Sequence, residues 1–280
     1  MINNLKRKAY NLLSYASPLD LSGTSKETNK IKVIKSEGLE IKMVVNSPAE
    51  LWRAKTFFTK EPETIAWIKT LMDADDVFYD VGACVGVYSL FAGAFFRKKI
   101  KVIAIEPAYH NFNTLCKNIY INNLQDCITP YCIGLSSKTR FDTIYLSSSE
   151  SGSSSHTVSN PIDQYGNKFK PQFIQGIFAI TLEDLIKIYK QPFPNHIKID
   201  VDGFEKNIIQ GGKNILKDKR VQSVLIEVSP QLSKKKIERQ MYDLGFNLNN
   251  SINYQRNHSK VTRELLGVGD IQNLIFTKTA

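Results

Sequence analysis

A glycine-containing turn directly after a short apolar run is the segment best suited to hold a nucleotide-like ligand. Residues 77–89 read VFYDVGACVGVYS, with Asp80 in the apolar run and Gly82 and Gly86 in the turn before a helix-like pattern. This order presents backbone N–H groups and a helix N-terminus to a ligand, and glycine accepts positive φ and leaves room for close approach. The spacing DxGxxxG differs from the GxGxxG of dinucleotide sites. It favours S-adenosylmethionine over NAD, with an ordinary tight strand-to-helix turn as the alternative.

An acidic residue ends the next apolar run. Residues 101–107 read KVIAIEP, which predicts a second buried strand with Glu106 at its tip. A carboxylate in that position can accept both hydroxyls of a ribose, as the acidic residue of dinucleotide-binding folds does. Pro107 stops the strand and fixes the direction of Glu106. The two segments together predict a cofactor crevice at the carboxyl ends of neighbouring strands.

Further acids follow two later strands. Residues 196–205 read HIKIDVDGFE and residues 221–228 read VQSVLIEV, so that Asp200, Asp202 and Glu227 come at or near strand ends. Ligands of open α/β sheets bind outside the carboxyl ends of the strands, which places these acids at the same crevice as Glu106. Asp200 and Asp202 would share one face if the strand continued through both.

If S-adenosylmethionine binds in this crevice, transfer of its methyl group is an in-line displacement, which a base near the transferred methyl group assists. The candidate bases are Asp200, His156 and Glu227. Each has an alternative role: Asp200 as a partner of the methionine amino group or a helix cap, His156 as a solvent-exposed loop residue, and Glu227 as a partner of nearby backbone. Asp200, Asp202 and Glu227 are also of the ligand type that Mg²⁺ prefers. Because two of these acids have other expected roles, no metal site is predicted.

A serine-rich loop interrupts the middle of the chain. Residues 147–160 read SSSESGSSSHTVSN, with eight serines among the thirteen residues from 147 to 159. Such a composition cannot form a core and is typical of a flexible linker. A loop of this length inside a compact domain is also typical of an active-site lid. Both interpretations stay open at the level of sequence.

The remaining patterns predict an N-terminal extension over residues 1–60 and a catalytic domain over residues 61–280. The extension contains a basic amphipathic helix near residues 3–15 and a β-hairpin over residues 31–45, and a helix over residues 59–71 leads into the first strand. Other strands are predicted over residues 128–135, 141–146, 173–180, 246–250 and 271–277, and other helices over residues 111–122, from Thr181, and over residues 232–244.

Composition indicates one globular α/β protein. The chain has 280 residues, 42% of them hydrophobic, and a net charge of +10. No apolar run approaches the roughly 18 residues of a membrane span, and residues 1–20 lack a signal-peptide pattern, so a cytoplasmic location is expected. The four cysteines, at 84, 116, 127 and 132, form no CxxC pair and are expected to be buried thiols. The positive charge suits an anionic partner or simply a solvated basic surface.

From about residue 56 onward, the sequence resembles the FkbM family of S-adenosylmethionine-dependent methyltransferases. The segments FFTKEPET, DVGACVGVYSL, AIEP followed by NFNTL, TLEDLI, and IKIDVDGFE followed by IIQGG occur in that family's order and spacing. The resemblance implies a Rossmann-like class I fold with a mostly parallel seven-stranded sheet whose last strand is antiparallel, and O-methylation of a hydroxyl on a sugar, glycan or small natural product. The chain departs from the family at Cys84, where asparagine is common, and at the CIGLSS segment after the third strand.

By position, the resemblance assigns Gly82 and Gly86 to the methionine part of the cofactor, Glu106 to the ribose, and Ile133 and Gly134 to the adenine. The complete predicted cofactor set is Asp80, Gly82, Gly86, Tyr88, Ser89, Glu106, Pro107, Asn111, Ile133, Gly134 and Asp200. The expected partner is a small-molecule or glycan acceptor, and no oligomeric state is predicted.

Two other functions compete with this interpretation. The positive charge would suit an RNA methyltransferase, but base N-methylation commonly uses an Asn or Asp followed by two prolines and an aromatic residue after the fourth strand. That position here reads DVDGFE, which makes nucleic acid an unlikely acceptor. The second alternative is a non-catalytic module that binds an anionic polymer through the basic segment SKKKIERQ.

Overall fold

The computed structural model describes residues 29–36, 38–154, 156–229, 232–252 and 272–278. The strands are β1 (Ile31–Ser36), β2 (Leu39–Val44), β3 (Val77–Val81), β4 (Lys101–Ile105), β5 (Ile128–Tyr131), β6 (Gly134–Leu135), β7 (Arg140–Leu146), β8 (Thr157–Val158), β9 (Phe173–Ile180), β10 (His196–Ile199), β11 (Ser223–Val228), β12 (Phe246–Leu248) and β13 (Gln272–Lys278). The helices are α1 (Pro48–Lys55), α2 (Pro62–Leu71), α3 (Val87–Phe95), α4 (Tyr109–Ile121), α5 (Leu182–Lys187), α6 (Glu205–Gly211), α7 (Lys213–Lys217) and α8 (Lys234–Asp243). The helix predicted near residues 3–15 lies outside the described ranges.

The central sheet has seven strands in the order β12, β13, β11, β10, β3, β4, β5. Neighbouring strands from β11 to β5 are parallel, whereas β13 runs antiparallel to both β11 and β12. The chain builds outward from β3 through β4 and β5, then returns to β10 on the other side of β3. The strand order therefore reverses between β3 and β10, where open α/β sheets bind their ligands. The predicted class I fold is confirmed.

Helices cover both faces of this sheet, which explains why its strands are almost wholly apolar. On one face Trp67, Phe91 and Leu115 pack with the strand residue Phe78. On the other face Ile208 and Met241 pack against strand residues such as Ile197. All four residues of β10 and all six of β11 are buried. Lys198 in β10 is the only charged residue of that strand, and it is 1% exposed.

A polar network links β10 and β11 at the amino ends of the strands. The indole Nε1 of Trp67 donates to Ser223 Oγ at 2.8 Å, and that oxygen lies 2.6 Å from His196 Nδ1. The other ring nitrogen, Nε2, lies 3.1 Å from Asp76 Oδ2. Because Trp67, His196 and Ser223 are at most 1% exposed, this Ser–His–Asp set is a structural link and not a catalytic triad.

A second sheet of four strands, in the order β6, β9, β7, β8, is inserted between β5 and α5. The prediction of one strand over residues 128–135 is wrong, because the chain leaves the central sheet after Tyr131. Gly134 and Leu135 instead pair in parallel with Ala179 and Ile180 of β9. The strands predicted over residues 141–146 and 173–180 exist, but they form this separate sheet.

The N-terminal hairpin is confirmed, with Ile34 opposite Ile41 across β1 and β2. It is followed by α1, which the sequence reading missed although Ser47 and Glu50 form a complete capping box at its start. Side chains of α4 hold β2 in place: Asn118 Oδ1 accepts from Val44 N at 2.8 Å. Residues on both sides of the proposed boundary at residue 60 share one hydrophobic cluster.

The other predicted elements shift by a few residues. The predicted helix over residues 59–71 begins at Pro62, where proline's fixed φ suits the first helical position. The predicted helix over residues 232–244 spans Lys234–Asp243, and the last two predicted strands become β12 and β13. Within the described ranges, every helix is too short or too polar to cross a lipid bilayer.

Candidate functional site

The glycine turn between β3 and α3 lies at the point where the strand order reverses. Gly82 and Gly86 have φ of +81° and +92°, so both require glycine conformationally. A Cβ on Gly82 would lie 1.8 Å from the carbonyl oxygen of Asp200, and one on Gly86 would lie 2.6 Å from Leu115 Cδ1. The expected reason for glycine was room for a ligand. The structure shows instead that both positions are crowded by protein atoms.

Asp80 in β3 and Ser89 in α3 bond to each other across this turn. The fully buried Asp80 accepts through Oδ2 from Ser89 Oγ at 2.6 Å and from Ser89 N at 3.1 Å. Its Oδ1 has no hydrogen-bond partner among the described residues. Burial raises the pKa of Asp80 although the Lys198 ammonium is nearby. These two members of the predicted cofactor set therefore fix the start of α3.

Glu106 lies at the tip of β4, as predicted. Its Oε2 accepts from Cys84 N and its Oε1 from Ala108 N, both at 2.8 Å. The side chain is held against the glycine turn by these two bonds. Burial raises the pKa of Glu106 to about 7, even though both backbone N–H groups favour the charged form.

Glu106 lines a cavity, here called the Glu106 cavity, together with other members of the predicted set. Gly82, Pro107 and Gly134 lie on its wall, and His156 lies on it from the serine-rich loop. The segment from Val201 to Phe204, after β10, supplies another part of the wall. A second cavity, here called the Gln164 cavity, adjoins the first and shares with it the residues Val158, Val201, Asp202 and Phe204.

Asp202 lies at these cavities and not beside Asp200. The expectation that the two acids share one strand face is wrong, because β10 ends at Ile199 and Asp202 turns the chain with φ of 55°. The buried Glu205 holds this turn, accepting through Oε1 from Val201 N at 3.2 Å and from Gly203 N at 3.1 Å. Burial raises the pKa of Glu205 to about 7.

Asp200 belongs to an acidic cluster formed with Glu61 and Glu227. One carboxylate oxygen from each residue lies within 4.8 Å of the other two. Two lysines compensate this charge: Lys198 Nζ is 2.6 Å from Asp200 Oδ2, and Lys60 Nζ is 2.5 Å from Glu61 Oε1. The cluster has the ligand type of a hard divalent cation. It can equally bind an organic ammonium group.

Lys198 keeps Asp200 ionised. Burial alone would raise the pKa of Asp200, but the Lys198 ammonium outweighs burial and lowers that pKa below its usual value. The same contact, together with Asp80 and Glu61, raises the pKa of Lys198 despite its burial. The Lys198 ammonium also lies 5.0 Å from the centre of the Tyr88 ring. Tyr88, a predicted cofactor residue, thus lies beside the Lys198–Asp200 pair.

Arg53 of α1 reaches the same region. Burial alone would lower the pKa of Arg53, but the neighbouring Cys84, Asp200 and Glu61 outweigh burial, so the pKa is raised. Its Nε donates to Gly152 O at 2.7 Å. In the part of the chain that the structure describes, this is the one hydrogen bond of the guanidinium, so its terminal nitrogens can receive a ligand.

The serine-rich loop is packed against α1 and α4. Ser47 Oγ donates to Ser151 O at 2.6 Å, and Gly152 N donates to Asn111 Oδ1 at 2.8 Å. Asn111 Nδ2 in turn donates to Ser153 O at 3.1 Å. Side chains at α1 and α4 therefore satisfy backbone groups of residues 151–153. Asn111, predicted to contact the cofactor, holds the loop in this structure.

His156 faces the Glu106 cavity from the loop. Its Nδ1 lies 3.3 Å from Ser147 N, its Nε2 lies 3.3 Å from Ser153 Oγ, and its ring packs edge-on against His110. Burial lowers the pKa of His156 to about 4, and the His110 ring acts in the same direction. The imidazole is neutral at physiological pH, and both its nitrogens have partners.

Two predicted residues remain, Ile133 and Glu227. Ile133 is partly buried and packs against the hydrophobic cluster on the α8 face of the sheet. Glu227 is 6% exposed and belongs to the acidic cluster.

The sequence reading assigned no role to Arg53, Glu61, Lys198 or Gln164. A lysine in the middle of an apolar strand is a signal that could have identified Lys198, because an unpaired charge is costly to bury. Glu61 lies within the quoted segment FFTKEPET, but its proximity to Asp200 arises only in the folded chain.

Residues 80–255 match the family described as the methyltransferase FkbM domain. The hexuronic acid methyltransferase AglP of Haloferax volcanii is 25% identical over 202 residues, which cover 72% of this chain and 76% of that protein. The crystal structure of methyltransferase FkbM from Methylobacillus flagellatus KT has a TM-score of 0.48 and 14% identity, covering 77% of this chain and 47% of that one. This chain thus corresponds to about half of that protein. A SAM-dependent methyltransferase from Agrobacterium tumefaciens has a TM-score of 0.48 and 9% identity, covering 90% and 71% of the two chains.

Proposed function

Because the chain belongs to the family of FkbM-domain methyltransferases, we propose that it methylates an oxygen of a sugar, a glycan or a small natural product. This choice of acceptor rests on the relative that is named as a hexuronic acid methyltransferase. The match to it covers 72% of this chain and 76% of that protein. A hexuronic acid offers several hydroxyl groups, and its carboxylate is a further oxygen nucleophile. The proposal here is transfer to a hydroxyl.

The residues at the switch point fit S-adenosylmethionine, the cofactor of this family. The Glu106 cavity provides a buried carboxylate whose oxygens each hold a backbone N–H and retain a lone pair for a ribose hydroxyl. The methionine part of the cofactor is a zwitterion. Arg53 offers a guanidinium for its carboxylate, and Glu61 offers an acid for its ammonium. Both signs of charge are therefore present close together, which supports this assignment.

The bound cofactor supplies an electrophilic methyl group on a positively charged sulfur. The chain supplies alignment and a closed site, in which the serine-rich loop excludes water. Asp200 would accept the proton of the acceptor hydroxyl as its oxygen bonds to the methyl carbon and the methyl–sulfur bond breaks, and Lys198 holds Asp200 ionised and in place. His156 is a weaker candidate because both ring nitrogens already have partners. Glu227, beside Asp200, is the remaining candidate base.

An acceptor screen tests this proposal. The purified chain is incubated with S-adenosylmethionine carrying a deuterated methyl group and with sets of neutral sugars, uronic acids, their glycosides, polyhydroxylated natural products and RNA. Mass spectrometry should detect one deuterated methyl group on a sugar-type acceptor, and about 100-fold less product or lower with Asp200→Asn at the same enzyme concentration. Labelling of RNA alone would contradict the proposal.

A second comparison within the screen identifies the oxygen. A uronic acid whose carboxylate is already esterified should still be methylated if the acceptor is a hydroxyl. Loss of product with the esterified compound would show that the carboxylate is the acceptor. The cytoplasmic location and the exclusion of nucleic acid stay predictions.

A further inference from the structure

We propose that Gln164 recognises the adenine base of the bound cofactor through the exocyclic amino group. Gln164 lies in the insertion between β8 and β9, and the sequence reading gave it no role. The inference rests on cofactor binding by the Glu106 cavity and does not depend on the identity of the methyl acceptor.

The first observation is an unsatisfied buried amide oxygen. Gln164 is 7% exposed, and its Oε1 is buried without a hydrogen-bond partner among the described residues. The structure also shows no hydrogen bond from its Nε2 to any residue in the described ranges. Buried polar groups of native proteins nearly always have partners, because an unsatisfied one is destabilising. A glutamine kept in this state is best explained by a ligand that completes its hydrogen bonds.

The second observation is position. Gln164 lines the Gln164 cavity, which adjoins the Glu106 cavity along Val158, Val201, Asp202 and Phe204. Three of these four shared residues are apolar, as a wall beside a flat heterocycle should be. A ribose held by Glu106 would place its base towards this shared wall, with the far edge of the base available to Gln164.

The third observation is rigidity. Asp163 Oδ1 accepts from Tyr165 N at 2.9 Å and from Asn167 N at 2.8 Å, which closes a tight turn around Gln164. Gly203 packs beside this turn, since a Cβ there would be in ordinary van der Waals contact with Gln164 Cα at 3.6 Å. The backbone of Gln164 is thus fixed while its amide is unpaired, the arrangement expected of a preorganised binding group.

The chemistry of the amide matches adenine. A glutamine carbonyl can accept from the 6-amino group while its NH₂ donates to a neighbouring ring nitrogen, and this bidentate pairing is how Asn and Gln read adenine in nucleic acids. The segment after β5 reads Cys132, Ile133, Gly134, which offers no carboxylate or amide side chain for this purpose. Gln164 can supply the missing group from the second sheet.

The test combines one variant with one altered ligand. Gln164→Met keeps the length of the side chain and removes the unsatisfied amide. Calorimetry measures the affinity of each protein for S-adenosylhomocysteine and for the analogue in which purine replaces adenine, so that only the 6-amino group is missing. The wild type should prefer the adenine ligand by about 10-fold or more, as one bidentate contact allows. Gln164→Met should bind both ligands with nearly equal, reduced affinity.

Thermal melting without ligand provides the second readout. Gln164→Met should melt at the same temperature as the wild type or higher, because the change removes an unsatisfied buried amide. A clear loss of stability would show that Gln164 serves the fold and would overturn the proposal. Gln210→Met is the matched control, since it makes the same glutamine-to-methionine change at an exposed position of α6 that lines neither cavity, and it should retain the wild-type preference.

A wild-type preference that survives in Gln164→Met would also overturn the proposal. If the Michaelis constant for the acceptor then rises in that variant, Gln164 contacts the acceptor. Failure of the wild type to bind S-adenosylhomocysteine at all would instead contradict the cofactor site itself, so the two failures are distinguishable.

Discussion

Replacing Lys198 by methionine should be among the most damaging single changes near the site. The Lys198 side chain is 1% exposed, and its Nζ lies 2.6 Å from Asp200 Oδ2. Lys198→Met leaves Asp200 and the fully buried Asp80 without their nearest cation. Removing one partner of a buried ion pair typically costs about 3–5 kcal/mol of unfolding free energy. At about 2–4 °C per kcal/mol for a domain of this size, the melting temperature should fall by roughly 10 °C.

The pH dependence of this loss has a definite sign. In the wild type, the lowered pKa of Asp200 contributes stability above its unfolded value of about 3.9, and this contribution is lost as the pH falls through the folded pKa. In Lys198→Met, burial acts unopposed by the ammonium, so the pKa of Asp200 should rise above its unfolded value and the pKa of Asp80, already raised in the wild type, should rise further. At acid pH these two carboxylates become protonated, which removes the unpaired buried charge and reduces the loss of stability in the variant. The stability deficit should be largest at pH 7 and smaller near pH 5.

Urea unfolding followed by tryptophan fluorescence between pH 5 and 8 measures both effects. Lys187→Met is the control, because Lys187 is 59% exposed and pairs with Glu183 at 3.5 Å. An exposed pair of this kind contributes at most about 1 kcal/mol. Adding Asp200→Asn to Lys198→Met should restore part of the stability, since the charge left alone is then removed. The reasoning would be refuted if the unfolding free energy of Lys198→Met at pH 7 lay within about 1 kcal/mol of the wild-type value. It would also be refuted if the loss of stability grew as the pH fell.

Two further predictions concern the loop and the proposed base. Asn111→Ala removes the partners of Gly152 N and Ser153 O and should accelerate amide exchange across residues 147–154 several-fold. The control variant Asn113→Ala changes an exposed residue and should leave this exchange unaltered. Unchanged exchange in Asn111→Ala would show that the loop is held by other contacts. Asp200→Asn should lower kcat by roughly 10²- to 10⁴-fold with little change in affinity for S-adenosylhomocysteine. The opposite pattern, weak binding with turnover intact at saturation, would assign Asp200 to the methionine amino group.

The parts of the fold that depend on local pattern could be predicted. The apolar runs of β3, β4, β10 and β11 are buried on both faces, so their sequences read as strands without ambiguity. Because parallel strands share one carboxyl edge, the order of segments was enough to place Glu106 near the glycine turn. The hydrogen bond from Cys84 N to Glu106 at 2.8 Å confirms that proximity.

The parts that depend on tertiary contact could not be predicted. Glu61 precedes α2 and meets Asp200 only because α2 packs on the central sheet. The reason for glycine at residue 82 is the carbonyl of Asp200, an atom more than a hundred positions away in the chain. The serine-rich loop was open to two interpretations, a flexible linker and an active-site lid, because composition alone does not distinguish them. Its order comes from backbone hydrogen bonds to Ser47 and Asn111, which composition does not reveal.

The most direct test of the account is calorimetric binding of S-adenosylhomocysteine to the wild type and to Glu106→Ala between pH 6 and 8. The pKa of Glu106 is raised to about 7, and the ionised form accepts the ribose hydroxyls. Wild-type affinity should therefore rise as the pH increases through 7 and then level off. Glu106→Ala should bind roughly tenfold or more weakly at pH 8, with this rise abolished. Equal affinity in two folded proteins, or a wild-type affinity that falls as the pH rises, would contradict the placement of the cofactor at Glu106.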